Sequence, residues 1–222
     1  MKVMTNAATT TQSKWVLPLV WVELLVLLML PLPFLKLNVF YVVLALIIMF
    51  LSKFLRKEKM SEYGFKPVQL NLILIAIGIG IGFGFLDNFL IEPIITKLSG
   101  AKPDLSTYAS VTGNIPHLLI MLGLGWFVGG LFEEFFFRGY LFNRFGSILK
   151  NDTVYKVVTI VLISVVFAFA HTYQGLGGIL DTFLFSVVMG ILYFSLGKNV
   201  WYLIIIHGFY DTVGIFRLYL GY

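Results

Sequence analysis

The sequence predicts an all-α, multi-pass transmembrane bundle of about seven helices, with a catalytic core in its C-terminal half. Three observations carry that prediction. The 222 residues are 59% hydrophobic and their mean hydropathy is +0.93. Asp, Glu, Lys and Arg make up only 12%, about half the share of a soluble domain. Long apolar runs recur along the whole chain, more apolar surface than a water-soluble fold of this size hides, so the bilayer is its solvent.

The runs fall at 14–35, 39–54, 70–85, 115–142, 157–169, 179–196 and 200–219. A spanning helix needs about 17–25 residues, so several are of marginal length. The first is too long for a secretory signal and has no small-residue cleavage site, so it is expected to remain as an anchor. The longest polar stretch, 87–114, holds Pro103 and small polar residues and is expected to be an external loop. The basic stretch 53–66 is expected to lie at the cytoplasmic surface, near anionic lipid. No internal repeat or low-complexity segment divides the chain. It reads as one integral membrane domain over 1–222, with N-terminal helices and a loop over 1–114 and a motif-bearing core over 115–222.

Charge distribution sets the expected orientation. With the N-terminus inside, eleven Lys and Arg fall in inner segments (Lys2, Lys14, Lys53, Arg56, Lys57, Lys59, Lys66, Arg144, Lys150, Lys156, Lys198) and four in outer ones (Lys36, Lys97, Lys102, Arg217). That asymmetry predicts a cell-membrane protein with a cytoplasmic N-terminus and an external C-terminus. The formal charge of +5 is therefore read as loop charge that orients helices, and no nucleic-acid partner is expected. The absence of cysteine removes disulfides, thiolate nucleophiles and Cys-ligated metals together.

An ionisable side chain in hydrocarbon costs about 2.5–3.5 kcal/mol on insertion scales and asks for a reason. Outside the loops these are Glu23, Glu133, Glu134, Arg138, His171, Asp181, His207 and Asp211, and six of the eight fall in three short segments of the C-terminal half. Glu134 and Arg138 are four apart with the acid first, the better order for a helical pair. Glu133 lies about 100° around the helix and is left free by that contact. Phe167 and His171 share a face with small residues between them. His207 and Asp211 share another, and Gly208 allows a close neighbour. Each segment alone also reads as packing: a charge-neutralising triad, a satisfied histidine, a His–Asp hydrogen bond. Glu23 and Asp181 belong to no segment and are expected to serve packing or a solvent cavity; His117, at an external helix end, is expected to be incidental.

Taken together, Glu133, His171, His207 and Asp211 supply what peptide hydrolysis requires, a base for water and a donor or cation for the oxyanion. The same two His and two carboxylates would make a zinc site with an open position, and the sequence leaves both arrangements open. There is no His-Glu-x-x-His, Gly-x-Gly-Asp or Gly-x-Ser-Gly, and Ser147 and Ser164 have no motif around them.

In this order, Glu133-Glu134-x-x-x-Arg138, Phe167-x-x-x-His171 and His207-x-x-x-Asp211 resemble the motifs of the CPBP family, the CAAX prenyl protease and bacteriocin-processing (Abi) proteins. The stretch 185–198, with Gly190 and a polar turn, is similar as well. The resemblance covers about 115–222 and implies an intramembrane endopeptidase acting on a peptide or protein in or near the bilayer, with membrane lipid around it. It implies that Glu133 and His171 activate water, that His207 and Asp211 face the oxyanion, and that Glu134 and Arg138 support Glu133. Both a metal-dependent and a metal-free glutamate mechanism are described for the family, so the cofactor is unknown, with a divalent metal such as zinc the candidate. If a metal is used, Glu133, His171, His207 and Asp211 are its expected ligands; no other cofactor-binding residue is expected. Asp211 departs from the Asn of prenyl-protease members, and an ionised Asp cannot donate to an oxyanion. The chain looks more like the bacterial members, which are linked to bacteriocin immunity and peptide maturation.

Two other classes fit the same residues, a membrane scaffold that keeps the motif for packing and a transporter using the buried acids. The second lacks the repeats and matching broken helices such folds show. Depth poses a further condition. A fourth helix starting outside at Ile115 would put Glu133 near the inner surface, away from His171. The two meet if that helix starts nearer Met121 and the fifth is longer than its apolar run.

Overall fold

A computed structural model describes residues 16–37 and 40–222, with side chains from Pro18 onward. Lys2, Lys14 and the start of the first apolar run lie outside the described residues. Among those described, the chain forms seven helical rods and no strand. They are α1 (Val16–Met29), α2 (Phe40–Arg56), α3 (Leu70–Ser99), α4 (Ile115–Ile148), α5 (Asp152–Ala170), α6 (Gly175–Ser195) and α7 (Val200–Tyr219). α3, α4, α5 and α6 with its leading turn are each long and apolar enough to cross a bilayer. The protein is a multi-pass helical membrane protein.

Two rods differ from their expected form. The stretch 87–114 is not a loop throughout. Asp87–Ile91 makes a π-helical turn and the chain stays helical to Ser99. Asp87 and Glu92 are buried there, because α7 supplies their partners. Tyr210 donates to Asp87 Oδ2 at 2.7 Å, and Arg217 pairs with Glu92 while donating to Asn88 Oδ1 at 2.6 Å. What read as loop polarity is the polar seam between α3 and α7.

The second is α4, a single 34-residue rod whose middle, Gly125–Leu141, is π-helical. It starts at Ile115, not near Met121, while α5 does extend beyond its apolar run, back to Asp152. Length reconciles their depths. Glu133 is fifteen residues from Ile148 and His171 nineteen from Asp152, about 20 Å and about 28 Å along the two axes. Glu133 therefore lies inside α4 and His171 at the far end of α5, and the two line one cavity.

α3 and α7 approach closely because small residues let them. A Cβ on Gly80 would sit 2.5 Å from the Ile206 carbonyl oxygen. At one end of the bundle the turn after α2 is sewn to the α6–α7 turn, with Val200 N–H donating to Gly64 O at 2.9 Å. Buried Arg144 closes this end with a two-pronged pair to Glu58, both contacts 2.6 Å. Glu23 joins the same cluster through Arg56 at 2.5 Å and through Tyr140, which makes it a packing residue away from the motifs. At the opposite end Asp104 N–H donates to Gln174 O and Gly113 N–H to Tyr219 O. His117 stands exposed, its backbone capped by Asn114.

Candidate active site

Each motif places its residues through local helix geometry, and tertiary packing then brings the three together. Glu134 and Arg138 lie on successive turns of α4 and are fully buried. Arg138 Nη1 donates to Glu134 Oε1 at 3.0 Å, and its Nη2 donates to Ser186 Oγ and O at 2.8 and 3.1 Å. The guanidinium also stacks over the Phe167 ring, 5.1 Å from its centroid. Arg138 thus ties α4 to α5 and α6. A buried charge persists only with such compensation.

The same Glu134 Oε1 accepts from His207 Nδ1 at 2.8 Å. One carboxylate therefore holds both a guanidinium on its own helix and an imidazole from α7. His207 Nε2 points the other way, 3.6 Å from Asp211 Oδ1, beyond a hydrogen bond. Phe185 meets the imidazole edge-on at 4.7 Å. His171, at the C-cap of α5, directs Nδ1 at the Phe167 carbonyl oxygen, 2.8 Å away. A carbonyl only accepts, so Nδ1 carries the proton and Nε2 keeps its lone pair.

Glu133 differs from its neighbour. It is 8% exposed, has no hydrogen-bond partner among the described residues, and lines a cavity of about 490 Å³ together with His171, His207 and Asp211. Four groups from three helices thus face one space, the juxtaposition that the spacing within each motif leaves undetermined. Asp211 reaches it because α4 is bare opposite. A Cβ on Gly129 would meet Asp211 Oδ2 at 2.5 Å and His207 Nε2 at 3.3 Å. Gly208 likewise admits the Trp126 ring at 2.6 Å, as its small size suggests.

Residues 115–213 match the family model described as Type II CAAX prenyl endopeptidase Rce1-like. Over that stretch the chain is similar to that family. All six motif residues fall within the Rce1-like segment, which opens with α4 and ends two residues past Asp211. No curated protein and no solved structure matches the chain.

Several wall residues lie outside the motifs. Ser186, the second anchor of Arg138, sits inside the stretch 185–198, but its spacing from other polar residues gives no sign of a role. Tyr41 from α2, Tyr108 from the α3–α4 connection and Tyr173 after α5 line the cavity too, and Tyr108 and Tyr173 join hydroxyls at 2.7 Å. No sequence signal singles these out among eleven tyrosines. Asp181 is on the cavity wall, and its Oδ1 has no hydrogen-bond partner among the described residues, so of its two expected roles it takes the cavity one.

The donor set does not fit a metal ion. Among the described residues no three His, Asp or Glu stand close enough together to hold one ion, and Glu134 already occupies His207 Nδ1. As placed, the four candidate ligands do not form a metal site.

Proposed function

We propose that this protein is an intramembrane endopeptidase that hydrolyses a peptide bond of a membrane-associated peptide or protein, by a glutamate–histidine mechanism. The observation that supports this reading is the shared cavity, with an unpaired Glu133 on one wall and two oriented imidazoles on others. Glu133 is the group left without a partner to hold it, so it is the base that takes the proton of the attacking water. His171 offers Nε2 to the same water, its ring fixed by the Phe167 carbonyl. The peptide carbonyl then lies toward His207, whose Nε2 faces the cavity as the donor for the developing oxyanion. Glu134 keeps that ring from turning. Asp211 flanks Nε2 as a negative charge that complements a protonated His207 and does not itself donate.

The similarity of residues 115–213 to the Rce1-like family supports a CAAX-type endopeptidase in general. For this chain we propose a substrate of the bacterial kind, a bacteriocin-related or maturing signal peptide presented at the bilayer.

The test is peptide cleavage by purified, detergent-solubilised wild type and Glu133→Ala, with metal content measured on the same samples. We expect metal-independent cleavage that falls about 10²–10⁴-fold in the variant. Cleavage that survives Glu133→Ala removes the proposed base, and a stoichiometric metal that activity requires replaces the mechanism. A cellular effect that persists in Glu133→Gln moves the protein to the scaffold class.

A further inference from the structure

The end of the bundle away from the motif cavity carries a second cavity, of about 620 Å³, between the α2–α3 connection, the end of α4, the start of α5 and the α6–α7 turn. Its wall is polar and holds Lys66, Lys150 and Lys198. The acids beside them are already engaged. Glu58 is held by Arg144 and Tyr63, Asp152 by Lys156 at 2.6 Å, and Glu62 by the Lys59 backbone N–H.

The three lysines have weaker attachments. Lys66 Nζ donates to the Gly197 carbonyl oxygen at 2.9 Å and Lys150 Nζ to that of Ser147 at 2.6 Å. Lys198 Nζ sits over the Tyr155 and Phe194 rings at 5.0 and 5.5 Å. None is paired with a carboxylate among the described residues, and positions 1–15, 38 and 39 contain no Asp or Glu to pair with them. Three lysines without a carboxylate partner therefore line one pocket, whose wall, with Arg144, carries four cations against three acids.

We propose that this pocket binds a phosphate-bearing anion, seated as the headgroup of an anionic membrane lipid. Phosphate chemistry follows from the lysines, which are compact point charges suited to it. The lipid source follows from the setting. The pocket lies at the ends of membrane helices, where basic clefts between helices take anionic headgroups, and Leu149, Tyr155 and Tyr193 in its wall give apolar surface beside the charges. The site is remote from the motifs and does not depend on the peptidase reading.

The experiment is titration of the full-length protein in neutral detergent with short-chain phosphatidylglycerol, short-chain phosphatidylcholine and inorganic phosphate, for wild type and K66Q/K150Q/K198Q. A cation near an anionic surface contributes about 1 kcal/mol, or about fivefold. The triple variant is therefore expected to lose on the order of 100-fold in phosphatidylglycerol affinity, while K53Q/K57Q, at the same end but off the pocket wall, stays at wild-type level. If the triple variant fails to fold, Lys150→Gln replaces it; that lysine is exposed and bonds only a carbonyl three residues back, and about a fivefold loss is expected. Inorganic phosphate binding as tightly as the lipid would keep the anion chemistry but overturn the headgroup assignment. Equal phosphatidylglycerol affinity in wild type and triple variant, or equal affinity for the two lipids, would overturn the proposal.

Discussion

Glu133 and Glu134 are neighbours in the chain with different surroundings. Glu134 is held by Arg138 and His207, while Glu133 faces the cavity unpaired. The first contact was legible because a four-residue spacing on a helix is local geometry. The second was not, since 73 residues separate Glu134 from His207 and no alternation or spacing links α4 to α7. The difference predicts different outcomes for the same change. Glu133→Gln is expected to abolish cleavage while leaving the melting temperature close to wild type, because no partner is lost. Glu134→Gln removes the charge opposite buried Arg138 and is expected to destabilise the fold by about 3–5 kcal/mol. Paired melting curves and cleavage rates separate the two, and a Glu133→Gln protein that melts early would show that Glu133 is held after all.

At the scale of elements, the apolar runs located all seven rods, but polarity misled wherever the partner came from another helix. Asp87, Asn88 and Glu92 look like loop residues until Arg217 and Tyr210 on α7 are opposite them. Arg217→Ala should therefore loosen the join of α3 to α7, at about 1–3 kcal/mol for the partners left unsatisfied, seen as earlier thermal unfolding. The π-helical middle of α4 has no sequence signature either, yet it aims Glu133 and clears Gly129 for Asp211. Gly129→Ala sets a methyl against Asp211 Oδ2 and His207 Nε2 and is expected to cut cleavage at least tenfold with little loss of stability. At the other end Glu58, in the turn after α2, gives a pH signature. Burial alone would raise its pKa, but hydrogen bonds from Arg144 and Tyr63, with the Arg144 and Arg56 charges, outweigh burial and hold it below its usual 4.5. A lowered folded-state value means the stabilisation is complete above about pH 4.5 and disappears as pH falls through the folded value. Melting temperature should drop on acidification below that point in wild type, and Glu58→Gln should flatten the slope.

At the scale of the molecule, the motifs and the family match cover 115–213, while the first helices carry no motif and read only as generic membrane spans. The packing gives those helices a definite part. α7, which bears His207 and Asp211, lies against α3 so closely that Gly80 has no room for a Cβ beside Ile206, and its end is pinned by Asn88 and Glu92. The opposite end of α4 is locked by Arg144 to Glu58 and Glu23, both from the N-terminal part. A fragment over 115–222 would keep every motif residue but lose the surface that sets α7 against α4, and Arg144 would lose both acids. Helices that insert separately still associate through packing inside the bilayer, so the missing half need not be covalently attached. Expressed alone, 115–222 is expected to run as an aggregate on size exclusion and to cleave nothing. Co-expressed with 1–114 it is expected to co-purify and recover cleavage, and the recovery should fail when the supplied half carries a bulky residue at Gly80. Activity from the isolated 115–222 fragment would show instead that the Rce1-like segment holds its own geometry, and that α3 is a lipid-facing cover and not the support of the catalytic helix.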